Sequence, residues 1–312
     1  MRPISRRLAF LLTPILLFSL NPSISHSSNV PAPTLAIIDT ALNSQLPQFK
    51  DKIVYEVCVL DWPSCANGKN FMEGPGAAAI APSLMMRNGN DHATKMVSAA
   101  LKTNPDLKIV FVRYRGATAD GTAQVTNESS FVNAFKWVLN NREKFNIQAV
   151  AMSQGHHNVG RVGTDYCPST PETQGLLKQF ASLGIPVFLP GGNNRDTKRV
   201  SWPGCFPEAV TISASNAGDG PAIYANYDFN RTDFFARGDM RVLLPDGTER
   251  NEAGSSVSVQ VAAAIWMHVK SKNPNFTYQQ MMDYLNKNGE QLVGRSFKAV
   301  TVKILNTYNF VK

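Results

Sequence analysis

The chain has 312 residues, of which 43% are hydrophobic and 17% charged, with four cysteines and a formal net charge of +8; this length can bury one sizeable core. Three of the positive charges, Arg2, Arg6 and Arg7, fall at the extreme N-terminus, and without them the balance is only about +5. With no Lys/Arg run interleaved with aromatics, that balance argues against a nucleic-acid partner.

In chain order, MRPISRRLAFLLTPILLFSLNPSISHSS comes first: a basic start, an apolar run from Leu8 to Leu20, then small residues at Ser23, Ser25 and Ser27. This is the pattern of a secretory signal, so residues 1–27 are assigned to a signal peptide and 28–312 to one folded domain, exported to the periplasm or the medium. An uncleaved anchor is the alternative. Pro14 and the shortness of the run weigh against it, since a span needs about 20 apolar residues, and no later segment reads as membrane-spanning. In an oxidising compartment, Cys58, Cys65, Cys167 and Cys205 favour disulfides, and without a close C-x-x-C pair they do not suggest zinc. Cys58 with Cys65 and Cys167 with Cys205 is the expected pairing, with the two other pairings and free thiols left open.

From residue 34 short β-branched runs alternate with helical patterns. Strands are predicted at TLAIID (34–39), LKIVFV (107–112), IQAVAM (147–152), IPVFL (185–189) and AVTIS (209–213). Helices are predicted around 92–103, 129–145 and 171–183, then from near Ser256 and over 277–287. Near-continuous apolar strands separated by helices imply an α/β fold with a doubly wound, mainly parallel sheet flanked by helices. The Gly- and Pro-rich stretches at 73–82 and 215–221 lack linker length, and there is no internal repeat. In such sheets ligands gather outside the carboxyl ends of the strands.

NEAGSSVSVQVAAAIW (251–266) sets Ser255 and Ser256 against the first turn of the last long apolar helix. A serine there ordinarily caps the helix. The same position suits a nucleophile, because free N–H groups and the helix dipole favour a developing oxyanion. A hydroxyl needs a base, and of His26, His92, His156, His157 and His268 the candidate is His92, which opens a helix after Asp91. Asp39 closes the strand TLAIID, so its carboxylate reaches the carboxyl edge of the sheet and needs a partner there. Each residue alone also reads as a cap or a turn-former.

Taken together, the segments resemble the subtilisin-type serine proteases, the subtilase family. LAIIDTALN is similar to its Asp segment, NDHATKMVSAAL to its His segment and GSSVSVQVAAA to its Ser segment, with Ser255 at the family's threonine position. VAMSQGHH resembles the strand that pairs with substrate and walls the primary pocket, through Ser153, Gln154 and Gly155. GIPVFLPGGNN resembles the loop carrying the oxyanion asparagine, here Asn193, with Gly191 and Gly192 beside it.

The resemblance runs from about 34 to 285 and implies an endopeptidase in which Asp39 orients His92, His92 deprotonates Ser256, and Asn193 with the Ser256 N–H holds the oxyanion. No metal is expected in the site and no cofactor is implied; calcium, common in the family, is left open, since its loop ligands are not matched to residues of this sequence. Departures are Ala93 and Lys95 in the His motif, where the family has glycine and a second histidine, with Met96 and Ser98 reducing its closeness, and Val259 in place of a proline. Asp91 is expected to cap the helix rather than to act on His92.

About 20 additional residues between the Asp and His segments, including Cys58 and Cys65, are expected to form a stapled excursion. Almost nothing separates the signal from Asp39, so a folding pro-segment is expected to be dispensable or supplied by a separate inhibitor or folding partner. The sequons at Asn127, Asn230 and Asn275 are read as chance. The walls at 153–155 and 191–193 carry no charge, which points to an uncharged side chain at the cleavage site. A degenerate subtilase that binds peptides without cleaving them is the first rival. An α/β-hydrolase esterase is the second, weakened by a missing Gly-x-Ser-x-Gly elbow.

Overall fold

The run Thr34–Asp39 is buried at all six positions, which requires a strand covered on both faces. The structure, a computed structural model, describes residues 32–87, 89–118, 121–122, 127–156, 167–216, 220–291 and 303–311. The segment assigned to a signal peptide lies outside these residues, as do His26 and His157. In chain order the elements are β1 (Thr34–Asp39), β2 (Ile53–Val59), β3 (Phe71–Glu73), α1 (Pro82–Met85), α2 (His92–Thr103), β4 (Lys108–Arg113), α3 (Glu128–Asn141), β5 (Ile147–Met152), α4 (Pro171–Ser182) and β6 (Val187–Pro190). They continue with β7 (Val210–Ser215), β8 (Phe234–Arg237), β9 (Asp239–Leu243), β10 (Glu249–Ala253), α5 (Ser255–Lys272), α6 (Tyr278–Asn288), β11 (Glu290–Gln291), β12 (Lys303–Leu305) and α7 (Thr307–Phe310).

The main sheet runs β11-β12-β8-β7-β6-β5-β1-β4-β2-β3, parallel except where β3 and β11 pair at its two edges. On one side of β1 the chain lays down β2 and β3 and then inserts β4 beside β1; on the other it builds outward through β5, β6 and β7, so the order reverses at β1. A crevice opens at such a switch point, outside the carboxyl ends of the strands. On β1, Leu35 and Ile37 join the core packed with Met96 and Val97 of α2 and Val261 and Ile265 of α5. Ala36 and Ile38 face the opposite core, with Phe131 and Phe135 of α3 and Leu177 and Phe180 of α4. Each such fully buried aliphatic contributes about 1.5–3 kcal/mol. Helix α5 is buried almost all round, as a central helix must be. Between Ser255 and Met267 only Ser256 is not buried.

The predicted doubly wound architecture is present, with boundaries shifted by a few residues. The strands that were not predicted have local reasons. In β2, Tyr55 and Glu56 interrupt the apolar run, and β8 is only four residues long. The hairpin β9–β10, whose residues pair from Asp239 with Ala253 to Leu243 with Glu249, is rich in charge. The expected excursion after β1 is itself part of the sheet: β2 pairs with β4, β3 returns antiparallel along the edge, and Cys58–Cys65 staples the turn.

The second disulfide joins Cys167 to Cys205, as expected, with a sequence separation of 38. Closing a loop of that length restricts the unfolded chain by about 4 kcal/mol. Cys205→Ser should lower the unfolding free energy by about that amount, read from the denaturant midpoint at constant m-value. Among the described residues no helix is long and apolar enough to cross a membrane.

Candidate active site

Strand β1 delivers Asp39 to its carboxyl end, where the carboxylate is fully buried and Oδ1 accepts from the Thr40 N–H at 2.7 Å. His92 opens α2 with its side chain 19% exposed, and its Nδ1 lies 2.8 Å from the same Oδ1. A carboxylate can only accept, so the Nδ1 proton faces Asp39 and Nε2 is left as the basic nitrogen. The Thr40 hydroxyl accepts from the Ala93 N–H at 3.1 Å, so a residue of the Asp loop satisfies an open N–H of the histidine helix. Gln154 also reaches this ring, with Nε2 3.2 Å from Nδ1. An Nδ1–H cannot accept from an amide NH2, so a bond here requires the Gln154 carbonyl oxygen turned toward the ring.

Ser256 sits in the open first turn of α5. Its hydroxyl donates to the Ser153 carbonyl at 3.1 Å rather than to His92, and the Ser153 hydroxyl donates back to the Ser256 carbonyl at 2.9 Å. Gln260 Nε2, one turn along α5, donates to Ser153 Oγ at 2.8 Å. The end of β5 is thereby tied to the start of α5. Asn193 Oδ1 accepts from the Ser255 N–H at 2.8 Å, which leaves its NH2 as the end available to a ligand. Ser255 Oγ accepts from the Gly192 N–H at 3.3 Å, holding the asparagine loop against the helix. Asn226 Oδ1, accepting from the N–H groups of Asn194 and Asp196 at 2.7 and 3.0 Å, holds the loop from beneath.

His92, Ser153, Gln154, Gly155, Gly192, Asn193, Ser255 and Ser256 line one cleft of about 380 Å³, together with Thr40 and Arg115. Two glycines are there because nothing larger fits. A Cβ on Gly155 would come within 2.6 Å of the Trp202 carbonyl, and Gly192 has φ +112° with Ser201 and Asn226 in the way of a side chain. Gly191, expected on the wall, is instead buried behind it: its N–H donates to Ile212 and its carbonyl accepts from Ser201. His156 stacks on Trp202 at 5.6 Å. Partial burial, and then the charge of Arg115, holds its imidazole below the ordinary histidine pKa. Among the described residues no group of three or more metal-ligating side chains occurs.

Asp91 is not the expected cap. Its side chain makes no capping bond; Oδ2 instead pairs with Lys95 Nζ at 3.2 Å and Arg250 at 3.3 Å. Lys95 Nζ is 3.1 Å from Glu252 Oε2, and Arg250 completes the ring to Glu252, also at 3.1 Å. This four-charge ring joins the helix that starts at His92 to the strand that leads into Ser256. Lys95 is only 6% exposed, so Lys95→Met leaves two carboxylates with Arg250 as their one cation. The loss should be about 2 kcal/mol, below the 3–5 kcal/mol of a fully broken buried pair because Arg250 remains. A thermal scan should show it as a fall of about 5 °C.

Residues 31–300 match the sequence model of the subtilase family. The chain belongs to the subtilase family. This subtilase is 24% identical over 233 residues to subtilisin NAT of Bacillus subtilis subsp. natto, an alignment covering 71% of this chain and 57% of that protein. It is likewise 24% identical over 233 residues to a subtilisin of Bacillus pumilus, covering 71% and 78%. The chain thus spans little more than half the length of the first of these relatives. Among solved structures, a cold-adapted subtilisin-like serine proteinase superposes with a TM-score of 0.66 at 17% identity, over 93% of this chain and 94% of that one. The prenylagaramide maturation protease PagA gives 0.64 at 12% identity, over 89% and 91%. At these identities the structures show that the subtilase fold is shared.

Thr40, Gln260, Asn226 and the Asp91–Lys95–Arg250–Glu252 ring carry no local signature. Apart from the local pairs Asp91–Lys95 and Arg250–Glu252, their contacts span large sequence separations, and only the fold brings those partners together.

Proposed function

We propose that the chain is an exported serine endopeptidase that cleaves peptide bonds through an acyl-enzyme on Ser256. The observation that carries this reading is the buried Asp39 carboxylate 2.8 Å from His92, in a cleft that also holds Ser256 and Asn193. With Nδ1–H on Asp39, Nε2 of His92 takes the Ser256 proton as the hydroxyl swings off the Ser153 carbonyl and attacks the substrate carbon. Catalytic hydrogen bonds are often loose without substrate, and the 3.1 Å bond to Ser153 is a weak neutral one to exchange. The Asn193 NH2 and the open Ser256 N–H receive the oxyanion. Protonated His92 then gives its proton to the leaving amine, and water, deprotonated by the same imidazole, releases the acyl group.

Export is supported by the two disulfides, which persist in oxidising compartments. The rival reading, a subtilase fold that binds peptides without cleaving them, draws on the resting position of the Ser256 hydroxyl. A fluorophosphonate decides between them: attack by Ser256 Oγ forms an O–P bond, expels fluoride and passes the proton to His92. Labelling of the folded protein, lost in Ser256→Ala, is the expected result. No labelling of the wild type at millimolar probe would favour the binding reading.

A further inference from the structure

Gln260 is fully buried on α5, one turn past Ser256, among the buried residues Val257, Val259, Val261 and Ala262. An amide in such surroundings costs folding free energy unless both of its ends are bonded. One end is. The Ser153 hydroxyl uses its only proton on the Ser256 carbonyl at 2.9 Å, so toward Gln260 it can only accept, and the Gln260 NH2 donates to it at 2.8 Å. The other end, Oε1, is buried with no hydrogen-bond partner among the described residues. Packing does not require the amide either, because Ala149 and Ala151 of β5 already share a core with Val257 and Val261 of α5.

By occupying a lone pair of Ser153 Oγ, the Gln260 NH2 turns the hydroxyl proton toward the Ser256 carbonyl. Ser153 also receives the Ser256 hydroxyl at its own carbonyl, 3.1 Å away. On the preceding side Asn193 Oδ1 holds the Ser255 N–H at 2.8 Å. Ser256 is thus clamped from both directions, and its N–H and Oγ, the oxyanion donor and the attacking atom of the reaction proposed above, lie between the clamps. We propose that Gln260 is a positioning residue for the nucleophile, acting through Ser153 to hold Ser256 for attack and weakening the fold in doing so. The proposal rests on the proteolytic reading for the step it serves. Gln260 does not line the cleft, so its loss should slow the chemistry and leave peptide binding alone.

The test is Gln260→Met, which keeps the side chain's length and removes the amide. At constant m-value its denaturant midpoint should match or exceed that of the wild type. On an internally quenched peptide kcat should fall by about tenfold with KM little changed, the scale on which a slight misplacement of reacting atoms lowers the rate. A fluorophosphonate, which calls on the nucleophile and the oxyanion donors without needing the peptide-binding strand, should label Ser256 about tenfold more slowly. Ser153→Ala removes the hydroxyl through which Gln260 acts, so Gln260→Met should add little to the loss in that variant. A lowered midpoint, or failure of Gln260→Met to fold, overturns the proposal, because the amide then serves the fold. Wild-type kcat and labelling rates in Gln260→Met overturn it too, as do losses that multiply in the double variant. If the wild type is labelled, any of these results ends this inference and leaves the proteolytic reading intact; a wild type that is neither labelled nor able to cleave ends both.

Discussion

Replacing either His92 or Ser256 by alanine should lower kcat on a peptide substrate by about 10⁶-fold, and replacing both should cost no more than either alone; the figure is the loss established for a subtilisin. The reason lies in how the two groups depend on each other. A serine hydroxyl is a poor nucleophile until a base accepts its proton, and His92 has nothing to accept once that hydroxyl is gone. About 10⁶ corresponds to roughly 8 kcal/mol of transition-state stabilisation. What remains comes from the rest of the cleft, where the Asn193 NH2 is held ready by its 2.8 Å bond to Ser255. Active-site titration and single-turnover assays on the two single variants and the double variant check this. Losses that add in free energy would mean that His92 and Ser256 act separately, and that the resting bond from Ser256 to the Ser153 carbonyl persists during turnover.

The architecture was legible because its strands are covered on both faces. TLAIID, LKIVFV and IQAVAM can tolerate apolar residues at every position only inside a two-sided layer. β2 and the β9–β10 hairpin escaped the same reading because polar residues interrupt the pattern: half-buried Tyr55 and buried Glu56 in β2, and Arg241, Arg250 and Glu252 in the hairpin. In the site, Asp39, His92 and Ser256 could be nominated because each ends a strand or lies at the start of a helix, and Asn193 because it lies in the loop just past β6, each within a motif of recognisable residues. The groups that hold them could not. Thr40 meets Ala93 across 53 residues and Gln260 meets Ser153 across 107. Asp91 illustrates the limit most plainly: its position before a helix predicts a cap, whereas Lys95 and Arg250 draw its carboxylate away into an ion-pair ring. A cap is a local matter, but the carboxylate is shared between Lys95, four residues on, and Arg250, which arrives from a strand 159 residues later.

Asp39→Asn should reduce kcat by about 10⁴-fold with KM little changed, the loss known for an asparagine in the equivalent role of a serine protease. In the native site a single oxygen, Oδ1, accepts from both the Thr40 N–H and the His92 ring. An asparagine has two ways to occupy that space. With its carbonyl at the Oδ1 position it keeps both bonds, but it buries an NH2 where Asp39 Oδ2 has no partner, and it supplies no charge for the imidazolium that forms during attack. With the amide turned, its NH2 opposes the Thr40 N–H and donates to Nδ1, so the ring proton moves to Nε2 and the nitrogen facing Ser256 can no longer accept. Both routes remove function while leaving the cleft's shape, so peptide binding to the variant should stay near the native value. Gln154 separates them, because its amide is 3.2 Å from the same Nδ1. If the amide stays unturned, Gln154→Leu should compound the loss in Asp39→Asn; if it has turned, Gln154 has no Nδ1–H left to accept and its removal should change little. Unaltered kcat in a folded Asp39→Asn would reduce the Asp39–His92 bond to a packing contact.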